Sequence, residues 1–430
     1  MGSVLQTLRN AWNIKDLRKR IIFTVLMLIV FRLGSFIPVP WINAEKFGSI
    51  IKQGGQLFTF LDIIAGGALS NVTIFAMSIQ PYINSSIIMQ LLTIAIPQLE
   101  KLAKEGEEGR KKLAQYTRYA TVALAFLQAT ALYFGMRSAV TPGSPVLSYI
   151  SITMAFTAGT AFLMWLGEQI TEYGIGNGIS MLIFAGIVSR APQAVIGMIQ
   201  LYIGKAFGTG LVAILSILII IAIFVFVTAA VIWVQEAERR IPIQYAKRIV
   251  GRRVYGGQST HLPIKVNMAG VLPIIFAMSI MAFPQTIVSL FAPDSTNKFV
   301  LWLKDAQQSV LYAIIYAILI IFFTFFYTAT QFNPIEIANN MKKNGGFIPG
   351  IRPGKPTSDY ISKVLNRITW FGGVFLAAIT LLPNLLGVIF KIQGIWFSGS
   401  ALLILVGVAM KVIRQIEAHM IMRNYKGFLE

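Results

Sequence analysis

The sequence predicts an all-α integral membrane protein that crosses the bilayer ten times. Three observations carry this reading. Of 430 residues, 56% are hydrophobic and only 13% charged, whereas a soluble domain carries about a quarter charged residues. Apolar runs near the ~20 residues that a spanning helix needs recur along the whole chain. The basic residues gather in alternate gaps between those runs, the pattern that fixes orientation in a membrane.

Runs bounded by charges, Gly or Pro lie near 21–37, 72–96, 119–136, 147–167, 178–198, 211–234, 267–290, 308–331, 368–390 and 396–413. The first follows "KDLRKR" and ends in "RLGSFIPVP" with no small-x-small cleavage site, so it reads as an uncleaved span. Arg32 lies near its outer end, where a long side chain can snorkel to the interface. The second is an interrupted span, "IAGGALSNVTIFAMSIQPYINSSIIMQLL". It enters through Gly66 and Gly67, carries Pro81, and places Asn84, Ser85 and Ser86 where lipid tolerates little polarity. The fifth is the weakest, because Arg190 and Pro192 interrupt it. Between the fourth and fifth, "YGIGNG" (173–178) has the wrong context and spacing for a dinucleotide loop and reads as a tight reversal.

An even number of spans puts both termini on one side. With the N-terminus inside, five Lys or Arg precede span 1, six separate spans 2 and 3, seven separate 6 and 7, six separate 8 and 9, and four lie at the C-terminal end, making 28. The other side holds eight, and Arg32 lies within a span. The asymmetry sets the termini as cytoplasmic and accounts for most of the net charge of +20 without nucleic acid.

Two long loops, 236–266 and 332–367, hold many of these charges. The first alternates apolar and basic residues ("RRIPIQYAKRIVGRRVY") around turn glycines, which predicts a short β-hairpin. Its paired Arg239–Arg240, Lys247–Arg248 and Arg252–Arg253 present positive charge to RNA phosphates or to an acidic motor protein. The plainer reading, solvated positive-inside charge, accounts for most of these residues singly.

Spans 1–5 (1–200) and 6–10 (201–430) form two five-helix halves, whose equivalent helices cross the membrane in opposite senses. Each second helix carries a Pro-x-Ile, Pro81–Ile83 and Pro273–Ile275. Catalytic chemistry finds no footing. Cysteine is absent, and the two histidines, His261 and His419, have no companion at metal-ligand spacing, so no metal or other cofactor is expected. "GKPT" (354–357) puts Pro356 where a phosphate loop needs Ser or Thr. The deep polar residues, Asn84, Gln90, Gln128 and Asn267, are neutral. An ion-coupled secondary transporter with inverted repeats, the rival class, buries at least one acid in its bundle. A passive pore driven by a partner, with no enzymatic activity of its own, fits better.

"RLGSFIPVP", "GGALSNVTIFAMSIQPYINSSIIMQLL", "EGRKKLAQYTRY", "GEQITEYGIGNGISMLIFAGIV", "ERRIPIQYAKR", "STHLPIKVNMAGVLPIIF" and "GFIPGIRPGKPT" together closely resemble the bacterial SecY family, the large subunit of the Sec protein-conducting channel. The resemblance runs in order from the first span to the last. It implies two inverted five-helix halves around a central hourglass pore in the cytoplasmic membrane, with a short half-helix plug at 57–71. A pore ring would comprise Ile79, Ile83, Ile183, Ile187, Ile275 and Ile404. Ile79 and Ile83 lie one helical turn apart, and a ring of branched apolar side chains excludes ions by dewetting. Gln80 departs from this pattern as a polar neighbour of the ring.

The plug would include Asp62, Ile63, Ile64, Gly66 and Gly67, with the acid tolerated in a water-filled funnel and the glycines supplying flexibility. A lateral gate between spans 2 and 7 would place Asn84 and Gln90 near Asn267 and Phe283. Arg239, Arg240, Lys247, Arg252, Arg253 and Arg352 would dock the ribosome and the SecA motor. SecE and SecG membrane subunits, signal sequences, nascent polypeptides and lipid complete the implied partners.

Overall fold

A computed structural model describes residues 12–43, 46–48, 62–141, 143–203, 211–245, 248–250, 253–255, 259–291, 309–390 and 399–426. A helix coincides with every expected span: α1 (Lys15–Gly34), α2 (Gln80–Ala95), α4 (Glu107–Gly135), α5 (Pro145–Tyr173), α6 (Gly178–Ile203), α7 (Leu211–Glu236), α8 (Leu272–Phe291), α9 (Val310–Gln331), α11 (Lys355–Phe390) and α12 (Gly399–Lys426). Two short helices, α3 (Pro97–Lys104) and α10 (Pro334–Lys343), lie between them. Among those residues, five helices are each long and apolar enough to cross a bilayer. A sixth such unit is the pair α2–α3, which bends by 101°. The break falls at Ile96–Pro97, where a proline opens α3 and the preceding residue is held extended.

Span 2 is shorter than its apolar run. Residues 72–79 form turns, and α2 starts only at Gln80, with Pro81 in the first turn where its missing N–H costs nothing. The fifth span is the reverse case: α6 continues through Arg190 and Pro192 from Gly178 to Ile203. The "YGIGNG" reversal between α5 and α6 is present. Asn177 accepts from the Ser180 N–H (3.0 Å), and Thr171 Oγ1 accepts from the Gly178 N–H (2.8 Å), capping the new helix.

The chain divides into two compact units, Met1–Ala206 with Ser279–Ser309 and Ile404–Glu430, and Phe207–Met278 with Val310–Leu403. In the first, α4 packs on α2 and α5, and α5 packs on α1 and α6. Its core joins Val39, Leu69, Val72 and Ala76 to Ala129, Tyr133, Ile152 and Phe156. Phe75 stacks between Phe31 (6.1 Å between centroids) and Phe162 (5.9 Å), and a side chain on Gly34 would overlap the Phe75 ring.

In the second unit, β1 (Glu238–Tyr245) pairs antiparallel with β4 (Ser259–Lys265), from Glu238 opposite Lys265 to Gln244 opposite Ser259. Between them, β2 (Arg248–Val250) and β3 (Arg253–Tyr255) form a separate small hairpin. The hairpin expected in this loop is therefore present, and longer than its sequence signal. The second loop, for which the sequence suggested no particular structure, is folded as well: β5 (Gly346–Phe347) joins β1 to give the order β4-β1-β5. Asn333 caps α10 by accepting from the Ile335 and Glu336 N–H groups. α11 starts at Lys355, well before the expected 368, so the end of the second loop and the span are one helix. Ile241, Ile243, Ile264, Met341, Ile348, Ile361 and Leu365 form a single core beneath both loops. Alternation along β1 buries Ile241 and Ile243 and leaves Arg239 and Arg240 exposed.

Candidate functional site

The residues of interest fall into three groups. Of the six isoleucines, Ile79 (1% exposed) and Ile83 (8%) sit at the start of α2, joined by the Ile83 N–H donating to the Ile79 carbonyl. Ile183 and Ile187 are buried on α6, and Ile404 is buried on α12. These five belong to the first unit; Ile275, half-buried on α8, belongs to the second.

Before α2 lies a segment the apolar pattern misrepresents. Asp62, Ile63 and Ile64 are helical and residues 65–79 run as turns, so among the described residues the expected half-helix is one turn long. Residues 57–61 of the expected plug lie outside the described residues. Tertiary contacts hold the turns in place. The Val39 N–H donates to the Val72 carbonyl (2.9 Å) and the Ile74 N–H to the Ile37 carbonyl (3.0 Å). Val72 and Ser78 adopt φ of +50° and +52°, a left-handed region costly for a β-branched residue and stable only where the surroundings impose it.

A polar cluster, missed in the sequence, fixes this segment. Asp62 and Arg190 form an ion pair with side chains 13% and 17% exposed. Ser70 bridges them: its N–H donates to Asp62 Oδ1 (2.8 Å), its hydroxyl to Asp62 Oδ2 (3.1 Å), and Arg190 Nη2 donates to Ser70 Oγ (2.9 Å). Arg32, expected to snorkel outward, donates instead to the Gly66 carbonyl (2.9 Å) and to Ser189 Oγ (3.0 Å). Asp62 thus meets a cation on α6.

The two glycines permit contact as much as motion. Gly66 (φ +64°) and Gly67 (φ +93°) are left-handed, and a Cβ on Gly67 would lie 2.7 Å from Arg190 Nη2. Gly186 on α6 leaves room for the Ile64 carbonyl. The two arginines are single charges inside apolar stretches, which is the signal that could have found this cluster.

The polar face of α2 also divides unexpectedly. Ser85, which had no assigned role, is fully buried and donates to the Thr117 carbonyl of α4 (2.9 Å). Asn84 and Gln90 are half-buried, and Asn84 Oδ1 has no hydrogen-bond partner. Gln80, whose facing the sequence left open, is half-buried too. In the second unit, Asn267 is 9% exposed with both side-chain polar atoms unpartnered. The side chain of Phe283 lies outside the described residues, though its backbone is in α8.

Of the basic loop residues, Arg239 and Arg240 are exposed on β1, and Arg240 also pairs with Glu238 (2.7 Å). Arg352 is exposed, its carbonyl accepting from Thr357 Oγ1 (2.8 Å) ahead of α11. Arg253 lies on β3, while Lys247 and Arg252 fall outside the described residues.

A profile of the SecY family matches residues 73–413. The protein translocase subunit SecY of Thermotoga maritima is 48% identical over 436 residues, covering 99% of this chain and 98% of its own length. The chain belongs to the SecY family. Membership assigns it to polypeptide translocation through a membrane channel. The SecY fold is seen again in solved structures. One, a SecY whose plug domain is described as stabilising the closed channel and maintaining a membrane seal, has a TM-score of 0.60 at 19% identity, covering 93% of this chain and 92% of its own. Another, canine Sec61 in a ribosome–channel complex, has a TM-score of 0.59 at 17% identity with the same coverage. At such identities these two speak for the fold alone. SecY membership also replaces the rival transporter reading.

Proposed function

We propose that this chain is the passive core of a translocon. It passes unfolded secretory polypeptides across the cytoplasmic membrane and releases apolar segments sideways into lipid, with the driving force supplied by a partner. The observation that carries this reading is the nearly end-to-end match to SecY relatives, together with a largely buried segment at 62–79 that is helical only at 62–64 and so is no spanning helix. In this reading residues 62–71 are the visible part of the plug, and the buried Ile79, Ile83, Ile183, Ile187 and Ile404 contribute, with Ile275, to the ring that seals the closed pore. The halves 1–200 and 201–430 flank the pore, and both termini face the cytoplasm, as the distribution of basic residues supports.

Asn84 and Gln90 on α2, with Asn267 and Phe283 at α8, form the lateral gate. Asn84 Oδ1 and both side-chain polar atoms of Asn267, buried and unpartnered among the described residues, are available for polar contacts there and support this assignment. A signal sequence entering the gate replaces weak polar contacts, worth about 1 kcal/mol or less each in a membrane. The folded cytoplasmic platform, with Arg239, Arg240, Arg253 and Arg352 and the adjoining Lys247 and Arg252, docks a ribosome or the SecA motor. SecE and SecG are its companions in the membrane. Nothing in the proposal calls for a metal, a cofactor or chemical catalysis by the chain itself.

The test is reconstitution. Vesicles containing the chain with SecE and SecG should translocate an unfolded preprotein when SecA and ATP are added, and should stay tight to ions without them. Translocation by the chain alone, with no motor and no nucleotide, would overturn the passive reading.

A further inference from the structure

We propose that Arg190 and Arg32 form a latch that sets how firmly the channel is closed. The inference rests on the reading of residues 62–71 as the plug. Two independent grips meet on this short segment. Arg190 of α6 holds the side chains of Asp62 and Ser70, and Arg32 of α1 holds the Gly66 carbonyl. Arg32 is itself positioned by Ser189, whose hydroxyl donates to the Gly186 carbonyl (2.7 Å). Gly186 in turn leaves the space into which the Ile64 carbonyl fits.

The partners are separated by 128 residues for Arg190–Asp62 and 34 for Arg32–Gly66, so no local folding requirement brings them together. Moving the segment away strips a carboxylate, a hydroxyl and a carbonyl of charged donors at once. Such hydrogen bonds are the strong ones, and breaking a partly buried pair leaves both charges uncompensated. Yet every partner is polar and able to bond water, so release into a hydrated pore leaves nothing permanently unsatisfied. A latch of this kind holds hard at rest and gives way when a translocating chain admits water. Arg190 Nη1 also donates to Gln193 Oε1 (2.7 Å) on its own helix, which aims Nη2 at the plug, while its buried Nε is unpartnered among the described residues.

The test uses the absence of cysteine from the chain. A single cysteine at Ala65, 1% exposed, reports plug position through its labelling rate by an impermeant maleimide in reconstituted vesicles. Arg190→Gln and Asp62→Asn should each raise labelling on the order of tenfold, the factor that losing one hydrogen bond to a charged group produces. The double variant should rise by clearly less than the product of the two single effects, because the two groups share one ion pair even though each also bonds Ser70. Arg137→Gln, an exposed arginine outside the cluster, should leave labelling unchanged. Labelling that stays at the parent rate in both single variants, or a double variant whose effects simply multiply, overturns the latch. Resting ion conductance is the second readout. If labelling rises as stated while conductance stays at the parent value, the arginines hold the segment in place but the plug reading falls, and with it their control of closure.

Discussion

At the scale of single residues, side chains that face a close neighbour decide the behaviour. Gly34 lies under the Phe75 ring in the Phe31–Phe75–Phe162 stack. Gly34→Ala should therefore cost about 1–3 kcal/mol, as overpacking does, lowering the thermal midpoint in detergent; an unchanged midpoint would mean that the ring swings aside freely. The ring assignment makes a different demand. Replacing Ile83 and Ile275 with Asn should raise resting conductance by roughly tenfold, the factor given by about 1.4 kcal/mol off a barrier. Channels that stay equally tight would remove these two residues from the constriction. Ile79 and Ile83 could be singled out through the family resemblance, with their one-turn spacing in agreement. Arg32 and Arg190 could not: each looks like a misplaced charge until the fold brings a partner from a distant part of the chain.

At the scale of elements, the sequence located every span, because long apolar runs have few alternatives in a bilayer. It misjudged how elements begin and end. Residues 72–79 are as apolar as a helix but fold as turns, since the Val39 and Ile74 amides bond across the gap instead of along a helix. α6 passes through Pro192 where a break was expected. Neighbouring packing decides both cases, and no local pattern records it. The fold of the second loop was not legible locally, because its apolar residues find their partners on β1 and β4. Asn333 is a measurable part of that element. Asn333→Ala should cost about 1 kcal/mol through loss of the α10 cap, seen as faster amide exchange in 334–343, while equal protection would show that packing on α11 alone holds the helix. Arg352→Glu should weaken binding to SecA and to ribosomes and leave membrane insertion normal. Unaltered affinity for both would remove Arg352 from the docking surface.

At the scale of the whole molecule, the uneven placement of charge is the main legible property, and the basic platform is its largest expression. Association with ribosomes through this surface should fall steeply with added salt, since each released phosphate contact contributes to the slope. Cosedimentation across a salt series measures it, and a flat response would mean an apolar interface.

The joining of the two loops has a mechanical consequence. β1, β4, β5, α10 and the first turns of α11 share one apolar core, and α11 then continues without interruption to Pro383, a rod of about 40 Å at 1.5 Å rise per residue. A large particle leaning on the exposed arginines therefore bears on a stiff handle rather than on loose tethers. Load applied to the arginines travels down that rod through the apolar stretch that begins near residue 368 before it meets the interior proline, Pro383.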